Sequence, residues 1–195
     1  MNSLLDSVIK AMPPKGSLRR YRVGILFNGN PGLVEGLLSL GHRTVVFSDN
    51  FHPLYRVYRS FRKVAEPAIF DTAILLETSL DAVPIAPGSL DVLIISAGLG
   101  HKRETATQGL VHLKHLIKPG GSLIWPERSS DGFWGKVSRG IPRFSGRRLG
   151  PIPRRYLCQF SMAAGFKEVG QILVSKKTMP WVVTFGKVGQ RPWLI

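Results

Sequence analysis

The sequence predicts a doubly wound α/β domain: seven strands in a mostly parallel sheet with helices on both faces, closing in a C-terminal antiparallel hairpin. Three observations predict it. Short apolar runs bounded by turn residues alternate with helix-spaced segments along most of the chain. Those runs are apolar throughout rather than at every second position, as in parallel strands buried on both faces. The last two strand-like runs follow one another across a short basic turn, which is hairpin order.

Each element has its own signal. Near the start, Leu4, Leu5, Val8 and Ile9 share one helical stripe before Pro13 and Pro14 end it. This reads as a short docking helix with its linker over residues 1–20, the main domain occupying 21–195; a membrane-surface anchor or targeting segment is the other reading. Residues 22–28 form a β-rich run, 33–40 have helical spacing stopped by Gly41, and 44–47 form a second strand, completing a βαβ unit. A further helix begins near His52 and Pro53. Apolar strands follow at 73–76, 90–96 and 122–125. Between the last two, Leu110, Leu113, Leu116 and Ile117 make the apolar face of a helix that ends at Lys118, Pro119, Gly120 and Gly121. A helix over 156–164 is closed by Gly165, and strands at 168–175 and 181–185 make the terminal hairpin.

Composition limits the function. A chain of 195 residues with 44% hydrophobic content suits one domain with a sizeable core. Twenty-seven Lys and Arg against 12 Asp and Glu leave a net charge of +15, which attracts nucleic acid, anionic lipid or a phosphorylated substrate without choosing among them. Cys158 is the single cysteine, so no internal disulfide forms and the reducing cytoplasm is the expected compartment. No apolar run approaches the ~20 residues a spanning helix requires. His112 and His115 stand three apart with no Cys or carboxylate cluster beside them, so a solvated helix face, and no metal, is expected. Cys158 lies in an apolar helix and reads as packed rather than reactive. Neither a Gly-x-Ser-x-Gly elbow nor a phosphate-binding Gly-Lys-Ser/Thr loop occurs.

Four segments carry a resemblance. These are the first strand, loop and helix with Asp49 closing the second strand; Val83-Pro-Ile-Ala-Pro-Gly-Ser-Leu-Asp91; Leu116-Ile-Lys-Pro-Gly-Gly-Ser-Leu-Ile124; and Ala164-Gly-Phe166 followed by two strands. In this order the chain resembles the class I S-adenosylmethionine-dependent methyltransferases, of the small-molecule type 11 group, from about residue 22 to 188. The resemblance implies a Rossmann-like seven-stranded sheet and S-adenosylmethionine as cofactor. It also implies that Asn28, Gly29, Asn30 and Gly32 line the donor, that Asp49 accepts hydrogen bonds from ribose hydroxyls, and that Glu77, Ser79 or Asp81 faces the adenine. Ser96 begins the loop where donor and acceptor would meet. In that loop His101 is either a general base or a plain polar loop residue.

The first loop suits a ligand physically, since Asn30 is a good N-cap and Pro31 a good first helical residue. It also departs from the family pattern. Asn28 and Asn30 stand at positions usually filled by glycine, and Leu26 where an acidic residue is common. Asp49 has an alternative role as the N-cap of the helix near His52. Methyl transfer asks mainly for positioning, because the sulfonium is already a strong electrophile, so a missing catalytic signature excludes nothing.

Residues 132–155 form a basic insertion or cap. Lys136, Arg139, Arg143, Arg147, Arg148, Arg154 and Arg155 occur there without an acid, among Phe133, Trp134 and Phe144. Arginine forks bind phosphate and carboxylate, and the rings can stack on bases or sit at a lipid interface. Arg56, Arg59 and Lys63, with Arg62 adjacent, make a second basic set. Both sets read as a solvated surface, an RNA or ribonucleoprotein surface, or a peripheral membrane contact; the oligomeric state stays open. Two functions follow: methyl transfer from S-adenosylmethionine to an anionic or nucleic-acid-associated acceptor, or a non-catalytic scaffold of the same fold that binds RNA, a ribonucleoprotein or an anionic membrane.

Overall fold

A computed structural model of the chain describes residues 3–13, 20–27, 31–64, 72–96, 99, 103–129, 152–174 and 181–189. Seven strands form one sheet: β1 Arg22–Phe27, β2 Arg43–Ser48, β3 Ala73–Glu77, β4 Leu90–Ser96, β5 Ile117–Arg128, β6 Lys167–Leu173 and β7 Trp181–Lys187. The helices are α1 Ser3–Ala11, α2 Pro31–Ser39, α3 Phe51–Val64, α4 Arg103–Lys114 and α5 Arg154–Ala163, with a 3-10 turn at Leu80–Ala82. Strand order is β3-β2-β1-β4-β5-β7-β6. The first five strands run parallel, and β7 enters antiparallel between β5 and β6. The terminal hairpin therefore lies at the sheet edge with its second strand inward.

Two apolar clusters cover the two faces. Val23, Ile25 and Phe27 of β1 point to one face and pack with Leu33, Val34 and Leu37 of α2 and Leu54, Val57 and Phe61 of α3. Leu26, Leu93 and Ile95 point to the other face and pack with Leu110 and Leu113 of α4 and Leu157 and Phe160 of α5. All seven residues of β4 are buried, which explains why it carries no polar alternation. The helix α1 lays Leu4 and Val8 onto the first face, and an added Cβ on Gly36 of α2 would collide with Leu5, so that glycine admits α1. Pro31 opens α2 as its type favours, and Gly41, at φ 75°, follows the end.

The largest boundary difference from the sequence expectation falls between α4 and β5. The helix expected to run to Lys118 ends at Lys114, and Ile117 is already the first residue of β5. The carbonyls of His115 and Leu116 accept the N–H groups of Gly88 and Leu90, so the partner strand takes over the last helical acceptors. The Pro119, Gly120 and Gly121 turn becomes a bulge within β5: pairing holds at Leu90 and Ile117, shifts, then resumes at Val92 and Ser122. Gly120 takes φ 77° there. Asp91 stands across from the bulge, where its carboxylate accepts the Arg22 N–H at 2.8 Å and pairs with Lys118. That part of the family-like passage thus ties β1, β4 and β5 together at the amino edge of the sheet. At the far end, α5 begins at Arg154, inside the 132–155 stretch, with Pro153 at its N-cap position.

Candidate functional site

In an open parallel sheet, the crevice for a ligand lies at the carboxyl ends of strands where the winding reverses. Here β1 has β2 on one side and β4 on the other, so the reversal falls between β1 and β4. Phe27 and Ser96 are register partners there, and Ser48 and Glu77 end the neighbouring pair β2 and β3. Ser96 is buried beside the buried Phe27.

The turn from β2 into α3 settles which residue caps the helix. The side-chain oxygen of Asn50 accepts the His52 N–H at 3.0 Å, and the Ser48 hydroxyl accepts the Asn50 N–H at 3.3 Å. Asn50 is therefore the cap, and the alternative capping role of Asp49, one position earlier, is not taken. Asp49 is exposed at the carboxyl edge of the sheet. Across the strand pair, the Thr78 N–H donates to the Ser48 carbonyl at 2.9 Å, and the Thr78 hydroxyl donates to the Ala82 carbonyl at 3.0 Å. These bonds hold the loop after β3 against the end of β2. Ser79 and Asp81 are exposed on that loop, and Ser79 makes no side-chain cap bond to the 3-10 turn.

Gly32 lies in the first turn of α2. The fold thus brings Gly32, Asp49, Ser79 and Ser96 to one edge of the sheet. Asn28, Gly29, Asn30, His101, Lys136, Arg139, Arg143, Arg147 and Arg148 lie outside the described residues.

Glu127 is a residue that sequence reasoning missed. It sits near the carboxyl end of β5, paired in register with Val182 of β7 and on the same face of the strand as the buried Trp125. It is half-buried, and burial pushes its carboxyl above the ordinary value of 4.5, outweighing the backbone bond from Arg128, the nearby Trp125 indole and the Arg128 charge. The Trp125 N–H is buried without a hydrogen-bond partner of good geometry among the described residues, so its pull on Glu127 is a weak one. A half-buried carboxyl on the ligand edge of such a sheet is a candidate proton acceptor. Beside it, on the opposite face of β5, the Arg128 guanidinium lies 5.4 Å from the Trp181 ring centroid.

Elsewhere the chemistry is sparse. His112 and His115 are exposed, and no group of three potential metal ligands occurs among the described residues. Cys158 is half-buried, and burial raises its thiol pKa. No helix among the described residues is long and apolar enough to cross a membrane.

No protein-family model and no curated protein sequence matches the chain. Solved structures do. The apo S-adenosylmethionine-dependent methyltransferase SibL is similar with TM-score 0.70 at 16% identity, covering 88% of this chain and 51% of that one. The 1,6-didemethyltoxoflavin-N1-methyltransferase of Burkholderia thailandensis, with bound S-adenosylhomocysteine, is similar with TM-score 0.68 at 14% identity, covering 97% and 79%. The [4+2]-cyclase SpnF is similar with TM-score 0.73 at 14% identity, covering 96% and 81%. The chain spans about half the length of SibL and about four-fifths of the other two. The strand order, the antiparallel insertion of β7 and these neighbours together give the chain the fold of the class I S-adenosylmethionine-dependent methyltransferases.

Proposed function

We propose that the chain is an enzyme that transfers a methyl group from S-adenosylmethionine to an anionic or nucleic-acid-associated acceptor. The observation that carries this reading is the exposed Asp49 carboxylate just past the carboxyl end of β2, one strand from the winding reversal and released from helix capping by Asn50. A carboxylate held there fits the paired hydroxyls of a ribose, which need an acceptor. When bound, the sulfonium would supply an electrophilic methyl group. The protein's share is to orient and to exclude water: Asp49 holds the sugar, the first turn of α2 containing Gly32 faces the carboxylate end, and Ser79 stands by the base. Glu127 takes a proton where the acceptor must lose one. The +15 charge and the arginines of 132–155 favour an anionic acceptor.

One observation favours a second reading, a non-catalytic scaffold of the same fold. Leu26, where the family commonly places an acid, is 5% exposed and packed in the apolar cluster with Phe47 and Ile95. The SpnF likeness also joins this fold to a protein described as a cyclase. Titration calorimetry with S-adenosylmethionine and S-adenosylhomocysteine separates the two. Micromolar binding that vanishes in Asp49→Ala supports the enzyme, and no heat at millimolar ligand supports the scaffold.

A further inference from the structure

Helix α3 has three faces. Leu54, Val57 and Phe61 are buried in the core. Phe51, Tyr55 and Tyr58 form a second stripe that is 60%, 42% and 43% exposed. Arg59 borders that stripe on its outer side, Arg62 continues it one turn further, and Arg56 lies beyond Arg59 toward the back of the helix; all three are exposed. On the other side of the stripe lies β3, the edge strand of the sheet. Helix and strand enclose a groove of about 460 Å³ lined by Phe51, Leu54, Tyr55, Tyr58, Leu75 and Glu77.

A contiguous exposed aromatic surface of this kind marks a binding site rather than ordinary surface. Its chemistry selects the occupant. The Phe51 and Tyr55 rings are nearly parallel, 26° apart with centroids at 5.8 Å, and the Arg59 guanidinium carbon lies 5.9 Å from the Tyr55 centroid. Flat rings edged by guanidinium groups suit a ligand with both π-faces and phosphates. The helix carries Arg56, Arg59, Arg62 and Lys63 and no acid, within a chain of charge +15. Arg56, Arg59 and Arg62 follow one another over more than one and a half turns, more than one phosphate would use. A bilayer is a poor match, because the groove is concave and a headgroup surface would span it rather than fill it; Glu77, with its carboxylate, is part of the lining. The same carboxylate accepts hydrogen bonds from base amino groups. A duplex keeps its bases stacked on one another and has no free faces to offer.

We propose that the groove between α3 and β3 binds single-stranded nucleic acid, with bases stacked on Tyr55 and Tyr58 and phosphates on Arg56, Arg59 and Arg62. The groove adjoins the Asp49 edge at Phe51 and Glu77 and runs from there along α3 past Tyr55 and Tyr58, and the proposal stands whether or not the chain transfers methyl groups. Fluorescence anisotropy on the full chain with a labelled oligouridylate of about 12 nucleotides tests it. The Tyr55→Ala, Tyr58→Ala pair weakens binding about tenfold or more, while the Tyr55→Phe, Tyr58→Phe pair, which keeps the rings, retains it. Replacing Arg56 and Arg59 with Ala makes the logarithmic dependence on salt shallower by about 1.4. Thermal melts check that the variants fold; should the alanine pair melt early, Arg59→Glu on the exposed face replaces it and weakens binding comparably. Wild-type affinity in the alanine pair overturns the proposal and assigns the strand to other cations. So does equal competition by a duplex of the same sequence, preferential binding to phosphatidylserine vesicles that depends on Tyr55 and Tyr58, or loss of binding in the phenylalanine pair as well.

Discussion

Two adjacent side chains at the end of β2, Asp49 and Asn50, have separate effects that single substitutions can resolve. Removing the cap with Asn50→Ala costs about 1 kcal/mol and lowers Tm by about 2–4 °C, leaving nucleoside binding in place. Asp49→Ala has the opposite outcome: Tm holds, and the calorimetric signal with S-adenosylhomocysteine disappears. Scanning calorimetry and titration calorimetry on both variants check the pair. Glu127 gives a pH signature. Its carboxyl is raised in the folded state, so the folded chain binds more protons than the unfolded one above about pH 4.5. Its contribution is complete below that value and is lost as pH rises through the folded pKa. Glu127→Gln should therefore match wild type near pH 4 and exceed it in Tm at pH 7.5; equal Tm at both would refute the buried carboxyl. These residues also show what a sequence hides. Asp and Asn are equally good caps, so only the register of α3 reveals that Asn50 takes the role. Glu127 follows a proline at the end of an apolar run and looks like turn. Its burial depends on β7, more than 50 residues away in the chain.

At the level of elements, the bulge in β5 is the clearest case of tertiary structure overruling a local signal. The Pro119, Gly120 and Gly121 cluster reads as a helix stop, yet the chain pairs with β4 on both sides of it. Gly121 makes this possible, because a Cβ there would lie 2.8 Å from the Asp91 carbonyl oxygen and 3.0 Å from that of Lys118. Backbone atoms cannot step aside as a side-chain end can. Gly121→Ala should cost about 1–3 kcal/mol and lower Tm by several degrees. Ligand affinity at the Asp49 edge should hold, since the bulge lies at the opposite, amino edge of the sheet. A thermal melt with a parallel titration measures both. The inner parallel strands were the most legible, 90–96 to the residue, because their middles are mostly apolar runs, whereas β6 carries Lys167, Glu168 and Gln171 and was legible through its place after Gly165 and before β7. Strand ends were less legible, because pairing extends β5 through residues that have no strand character of their own.

For the whole molecule, periodicity predicts seven strands and helices on both faces, but it cannot order the strands. The order in which β1 lies between β2 and β4 decides where a ligand can enter, and that order was accessible only through family likeness. Once it is fixed, Gly32, Asp49, Ser79 and Ser96, scattered over 65 positions of sequence, fall on one edge. Such a site should couple to global stability, because it draws on α2, the β2 turn, the loop after β3 and the end of β4 together. A ligand that binds only the folded chain adds about 2.7 kcal/mol at one hundred times its Kd, which raises Tm by about 5–10 °C for a domain of this size. S-adenosylhomocysteine should produce that shift in the wild type and in Asn50→Ala from its lower baseline, and none in Asp49→Ala. An unmoved wild-type Tm at millimolar ligand would instead mean that the edge is closed to nucleosides. The packed Leu26 would then be its signature: a methyltransferase fold kept for its surface, with the basic helix α3 as the part still in use.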